Sequence, residues 1–141
     1  ERPGVLMGIK QAGYGIVLGL MFPVSLALGG ALADIQEHGK AMIRDAEEMV
    51  MHGGMGDGKA ILHHCSEVAG HAEAILKLLP ASDEHGQEAA PLLKEAMAYC
   101  KRVAEMGDKV DPGASLNPAV KARAAARAAM KHLKEVREHG A

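Results

Sequence analysis

His64-x-x-Glu67-Val-x-x-His71 recurs along this chain as His132-x-x-Glu135-Val-x-x-His139, and Asp45-x-x-Glu48-x-x-x-His52 is a variant of the same spacing. Offsets of three and four place side chains on one helical face, so each triplet is a ladder of imidazole and carboxylate groups. Such groups bind divalent ions of the copper(II), nickel and zinc kind. The ends of a ladder lie about 10 Å apart at 1.5 Å rise per residue, too far to share one ion. Each ion therefore needs a carboxylate–histidine pair from one helix and further ligands from an antiparallel neighbour.

The ligands are densest from Asp45 to His71, two apolar-periodic segments joined by the glycine-rich turn His52-Gly-Gly-Met-Gly-Asp-Gly58. A helical hairpin is expected there. Across it, Asp45 and Glu48 come level with His63 and His64, and His38 with His71. The candidate metal ligands are thus His38, Asp45, Glu48, His52, His63, His64, Glu67, His71, His132, Glu135 and His139. His85, in a loop or first turn, is the weakest of the eight histidines. The competing reading is of solvated histidines with Glu48, Glu67 and Glu135 as ordinary surface partners. Met51 and Met55 offer thioethers for copper(I), whereas Met42, Met49, Met97 and Met130 have the spacing of core filler.

Four helices must carry these residues. The first is expected from Asp34, its cap, to His52, with Gly53-Gly54 ending it. Asp57 caps the second, from Gly58 to Leu79, which Pro80 stops. Ser82 or Asp83 opens the third, which runs to about Val110, with Pro91 either kinking it or marking its true first turn. Asn117 caps the fourth, with Pro118 in its first position, and the helix ends near Gly140. No strand-like alternation occurs, so the fold expected is all-α, an antiparallel up-down-up-down four-helix bundle. Its core rows, at heptad positions a and d, are Gly39, Met42, Ala46, Met49; Ile61, Cys65, Val68, Ala72, Ile75, Leu79; Ala89, Leu93, Ala96, Cys100, Val103; and Ala122, Ala126, Ala129, Leu133, Val136. His38, Asp45, His52, His64, His71, His132 and His139 all fall one place before an a residue. The third helix has Leu92, Tyr99 and Met106 there.

A turn centred between Ser82 and Asp83 places Cys65 and Cys100 equally far from it, at one level of adjacent antiparallel helices. In an oxidising compartment a disulfide is expected, ahead of two reduced core thiols or a pair of thiolate metal ligands. Closing such a loop stabilises by roughly 3 to 4 kcal/mol on the chain-entropy model. No Cys-x-x-Cys-His motif for covalent haem occurs.

Residues 1–33 read as a leader. Met7-Gly-Ile-Lys10 precedes an apolar run from Tyr14 to Leu28 and the small-residue end Ala31-Leu-Ala33, the pattern of a secretory signal peptide. Met7 is the expected start, with cleavage after Ala33 leaving 34–141 as the bundle domain. An uncleaved anchor from Gln11 to Ala33 is the alternative, just long enough to span a bilayer. Either way the bundle is exported, and a bacterial periplasm is the expected place. The listener for nucleic acid, a basic stripe, is missing: the chain carries 16 basic and 18 acidic residues. Tyr99 is the one aromatic after the leader, so stacking platforms for bases are also missing. No membrane association is expected once the leader is removed. Neither an inward-facing pair of Glu-x-x-His motifs nor a nucleophile–base motif stands out, so catalysis is not expected.

The stretches Lys40-Ala-Met-Ile-Arg-Asp-Ala-Glu-Glu-Met-Val-Met-His-Gly53, His63-His-Cys-Ser-Glu-Val-Ala-Gly-His-Ala72 and Met130-Lys-His-Leu-Lys-Glu-Val-Arg-Glu-His139 resemble the small metal-binding protein (SmbP) family. The resemblance covers most of residues 34–141. It implies a small periplasmic four-helix bundle that binds several copper(II) and other divalent ions, with His52, His64, His71 and His132, and Glu48 beside them, at matching positions. Asp45 stands where the repeat favours histidine, the third helix is almost without histidines, and the cysteine pair is no part of the pattern. Fewer, weaker sites are therefore expected, concentrated on the first hairpin. The function expected is sequestration or buffering of copper(II), or of zinc or nickel. The alternative is a periplasmic helical interaction or stress module whose histidines are incidental.

Overall fold

The computed structural model describes residues 24–107 and 111–137. They form four α-helices: α1 (Val24–Gly54), α2 (Gly58–Leu78), α3 (Glu84–Met106) and α4 (Pro112–Leu133). Each helix packs on the next in the chain, and α4 returns to α1, while α2 and α4 touch lightly across the diagonal. This is the antiparallel up-down-up-down bundle. Residues 1–23, most of the expected leader, and His139 lie outside the described residues. Among those described, no helix is long and apolar enough to cross a membrane.

The heptad rows form the core. Met42, Ala46, Met49, Ile61, Val68, Ala72, Ile75, Leu93, Val103, Ala122, Ala126, Ala129 and Leu133 are all fully buried. Small residues let the helices approach closely. A Cβ on Gly39 would stand 2.7 Å from Met130 Sδ, so α1 meets α4 where α1 has no side chain. Leu79, expected in the core row, is only half buried, because α2 ends at Leu78 and the chain turns away.

The helix ends show what the periodicity left open. Gly56 turns the first hairpin at φ 85°, a left-handed conformation suited to glycine. Asp57 then caps α2 by accepting from the Ala60 N–H at 3.0 Å. Asp83 caps α3, accepting from the Gly86 N–H at 2.7 Å.

Three expected boundaries are corrected, and Pro91 takes the first of its two expected places, within the helix. Asp34 is not a cap, since α1 already runs through it from Val24. The third helix stops at Met106 rather than Val110, because Gly107 takes a φ of 70° and its N–H donates to the Val103 carbonyl. Pro91 lies inside α3, beyond the first turn, with an exposed ring; the carbonyl it leaves unpaired is on exposed Gln87. The fourth helix opens at Asp111 and Pro112, not Asn117 and Pro118. Asp111 accepts from the Gly113 N–H at 3.1 Å, and Pro112 needs no donor in the first turn. Pro118 then sits inside the helix, buried with Ser115 and Ala119, so tertiary packing offsets the hydrogen bond it removes.

The chain also leaves α4 early. Its last helical residue is Leu133, not one near Gly140, and a turn follows in which the Glu135 N–H donates to the His132 carbonyl at 2.9 Å. Two contacts hold this end. Gln36 Nε2 donates to the Leu133 carbonyl at 2.8 Å, and the Arg137 N–H donates to Asp83 Oδ2 at 3.1 Å. The disulfide joins Cys65 to Cys100 across the α2–α3 seam, with Cα atoms 5.2 Å apart and both residues in the core.

Candidate metal centre

Antiparallel packing of α1 on α2 puts the g positions of the two helices face to face. Asp45 lies between His64 and His71, one helical turn pair apart on α2, and is buried with 8% of its surface exposed. Its Oδ1 accepts from His64 Nδ1 at 3.0 Å, and its Oδ2 faces His71 Nε2 at 3.7 Å. Each carboxylate oxygen thus serves a different imidazole. A carboxylate only accepts, so the proton of His64 belongs on Nδ1. The lone pair of His64 then lies on Nε2, which stands 3.5 Å from Glu48 Oε2. A carboxylate orienting one ring nitrogen while the other faces an ion is a recurring arrangement around bound metals.

Two ligand groups result, each within a 4.8 Å span: Asp45, Glu48 and His64 in one, and Asp45, Glu67 and His71 in the other. Further imidazoles flank them. His52 stacks on His64 with ring centroids 5.6 Å apart and planes 7° from parallel. His38 Nδ1 lies 3.0 Å from His71 Nδ1. One of these two nitrogens donates to the other, the direction being set by the tautomers; where His71 donates through Nδ1, its Nε2 lone pair is turned toward Asp45 and Glu67.

The expected levels across the hairpin are therefore met for Asp45 and Glu48 with His64, and for His38 with His71. His63 differs. It is exposed and meets the group edge-on through the His64 ring alone, at 5.2 Å. Its position is one residue from the seam, and a helix turns by a quarter-circle or so per residue.

On the opposite seam only His132 and Glu135 of the expected ladder fall among the described residues. Glu135 lies in the turn after α4 and pairs with Arg137 at 3.9 Å. His132 reaches α3, where its Nδ1 is 2.8 Å from Glu88 Oε2. His85, set aside as the weakest candidate, stands beside the same oxygen at 3.4 Å. Glu88 was missed altogether. The signal was present, because His85-x-x-Glu88 repeats the spacing of His64-x-x-Glu67.

Of the methionines, Met42 and Met49 are in the core, as is Met130 with 8% exposed. Met51 and Met55 are exposed near the hairpin turn. An apolar groove lined by Leu62, Ala69, Met97 and Ala104 runs beside the disulfide and contains no histidine. Comparison with family models, curated proteins and solved structures finds no match for this chain.

Proposed function

We propose that this chain is an exported metal-binding protein that sequesters or buffers copper(II), or zinc or nickel, on the α1–α2 seam. The observation that carries the reading is the sharing of buried Asp45 between two histidines of the neighbouring helix. A solvated surface histidine has no need of a buried carboxylate on one nitrogen and a second carboxylate near the other. Here His64 has both, and His71 has Asp45, Glu67 and His38 around it.

One ion is held by His64 Nε2 and Glu48, with Asp45 steering the ring and His52 close by. A second is held by His71, Glu67 and Asp45, with His38 at the edge. Imidazole and carboxylate together suit copper(II), which leads the general affinity order. The seam is open to solvent along Glu48 and Glu67, so ions enter and leave without unfolding, which suits buffering. Export is supported by the leader pattern and by the disulfide, which persists in oxidising compartments. The resemblance to the small metal-binding protein family points the same way.

Titration of chelator-treated protein with Cu(II) by calorimetry tests this. More than one equivalent is expected, and the triple variant His52→Ala, His64→Ala, His71→Ala should lose most of the uptake. Unchanged stoichiometry in that variant rejects the assignment. Absence of uptake by the parent protein, together with a reproducible protein partner, favours a helical interaction module instead.

A further inference from the structure

We infer that His85, Glu88 and His132 form a separate divalent-cation site that ties the first turn of α3 to the last turn of α4. It shares no residue with the α1–α2 seam, so it stands or falls independently of the function proposed above. The three residues offer ligand atoms within a 4.8 Å span. Glu88 Oε2 is the hub, 2.8 Å from His132 Nδ1 and 3.4 Å from His85 Nδ1. Donor atoms about 2.0 to 2.2 Å from a tetrahedral zinc lie roughly 3.4 Å from one another, which is the His85–Glu88 distance, while the 2.8 Å His132–Glu88 contact must open by about 0.6 Å to admit an ion. The ring centroids of His85 and His132 are 6.1 Å apart and tilted by 34°, two imidazoles converging on one carboxylate from different helices.

A second observation points to a ligand. His85 Nδ1 is shielded from solvent yet makes no hydrogen bond, and is the one such buried side-chain atom among the described residues. The Glu88 contact at 3.4 Å lacks hydrogen-bonding geometry, so this nitrogen has no protein hydrogen-bond partner. Buried polar atoms of this kind carry a cost, and a cation seated against Glu88 removes it. Glu88 and His85 are themselves about half exposed, so an ion has a route in.

Two imidazoles and one carboxylate are a complete protein ligand set for an open zinc-type site, with the fourth position left for water. The site borders the contact where buried Asp83 caps α3 and also holds the Arg137 N–H beyond α4. An ion bridging His85 and His132 therefore braces the same two chain ends that Asp83 joins. Binding there stabilises the C-terminal turn, because it requires α3 and α4 to stay in register.

The test uses the full chain, Zn(II) alone as probe, and calorimetry with hydrogen exchange. A His64→Ala, His71→Ala variant should keep one equivalent of Zn(II) and show zinc-dependent protection of amides in residues 130–137. Adding His85→Ala should weaken that equivalent at least about tenfold, since even outer partners of a metal ligand matter by 10- to 100-fold. Glu88→Gln should do the same while leaving the helical circular dichroism unchanged. If the seam variant binds no Zn(II) while the parent does, or if His85→Ala leaves affinity and protection unaltered, the inference is overturned. A parent that binds no Zn(II) at all overturns it equally. The proposed function has its own test in the triple seam variant, so the two failures are distinguishable.

Discussion

Asp45 accepts a hydrogen bond from His64 at 3.0 Å across the α1–α2 seam, from a position almost closed to solvent. Replacing the carboxylate by an amide keeps its size but removes an acceptor on one side and the negative charge. Asp45→Asn is expected to weaken Cu(II) binding about 10- to 100-fold, the usual effect of disturbing a group that orients a metal-binding histidine. In metal-free protein it should lower stability by about 1 to 3 kcal/mol, from a buried partner left poorly satisfied. Calorimetry and urea unfolding measure the two. Unaltered affinity would remove Asp45 from the site.

Metal uptake should depend steeply on pH. Protonated imidazole cannot coordinate, and histidine ordinarily titrates near 6.5. Affinity is therefore highest above that range and falls as pH drops through about 6. Equilibrium dialysis at pH 7.5 and at pH 5 checks this. Full retention of metal at pH 5 would mean that carboxylates, not imidazoles, supply the main ligands.

Cys65 and Cys100 are joined within the core, 35 residues apart in sequence. Reduction releases that loop in the unfolded chain and should lower stability by roughly 3 to 4 kcal/mol. Urea unfolding with and without reductant gives the difference directly. A change below about 1 kcal/mol would show that the α2–α3 packing, not the cross-link, holds the seam.

Asp83 is buried and serves two chain ends, capping α3 through Gly86 and holding the backbone of Arg137. Asp83→Ala removes a helix cap, a loss of about 0.5 to 2 kcal/mol in general, and frees the turn after α4. Hydrogen exchange should rise in residues 134–137 while the centre of the bundle is unaffected. Unchanged exchange there would place the restraint on Gln36 and the buried Val136 instead.

Apolar periodicity alone determined the core of this protein, because side chains three and four residues apart must share a helical face. Met42, Ile61, Leu93 and Ala126 were legible as core for that reason, and Asp45, His64 and His71 as one seam. The pairing of Cys65 with Cys100 was legible too, since two antiparallel helices and one short turn allow a single register. Periodicity assigns faces, however, not helix ends or the partner across a seam. Only the tertiary structure decided that α4 begins at Pro112 and keeps Pro118, because burial of Ser115, Pro118 and Ala119 outweighs a local breaker. Only it decided that the chain leaves the helix after Leu133, where Asp83 and Gln36 capture backbone groups from other helices. Packing of α4 on α3 also brings His132 to Glu88. The spacing of ligands within a helix is local chemistry; which carboxylate an imidazole meets is a property of how helices pack.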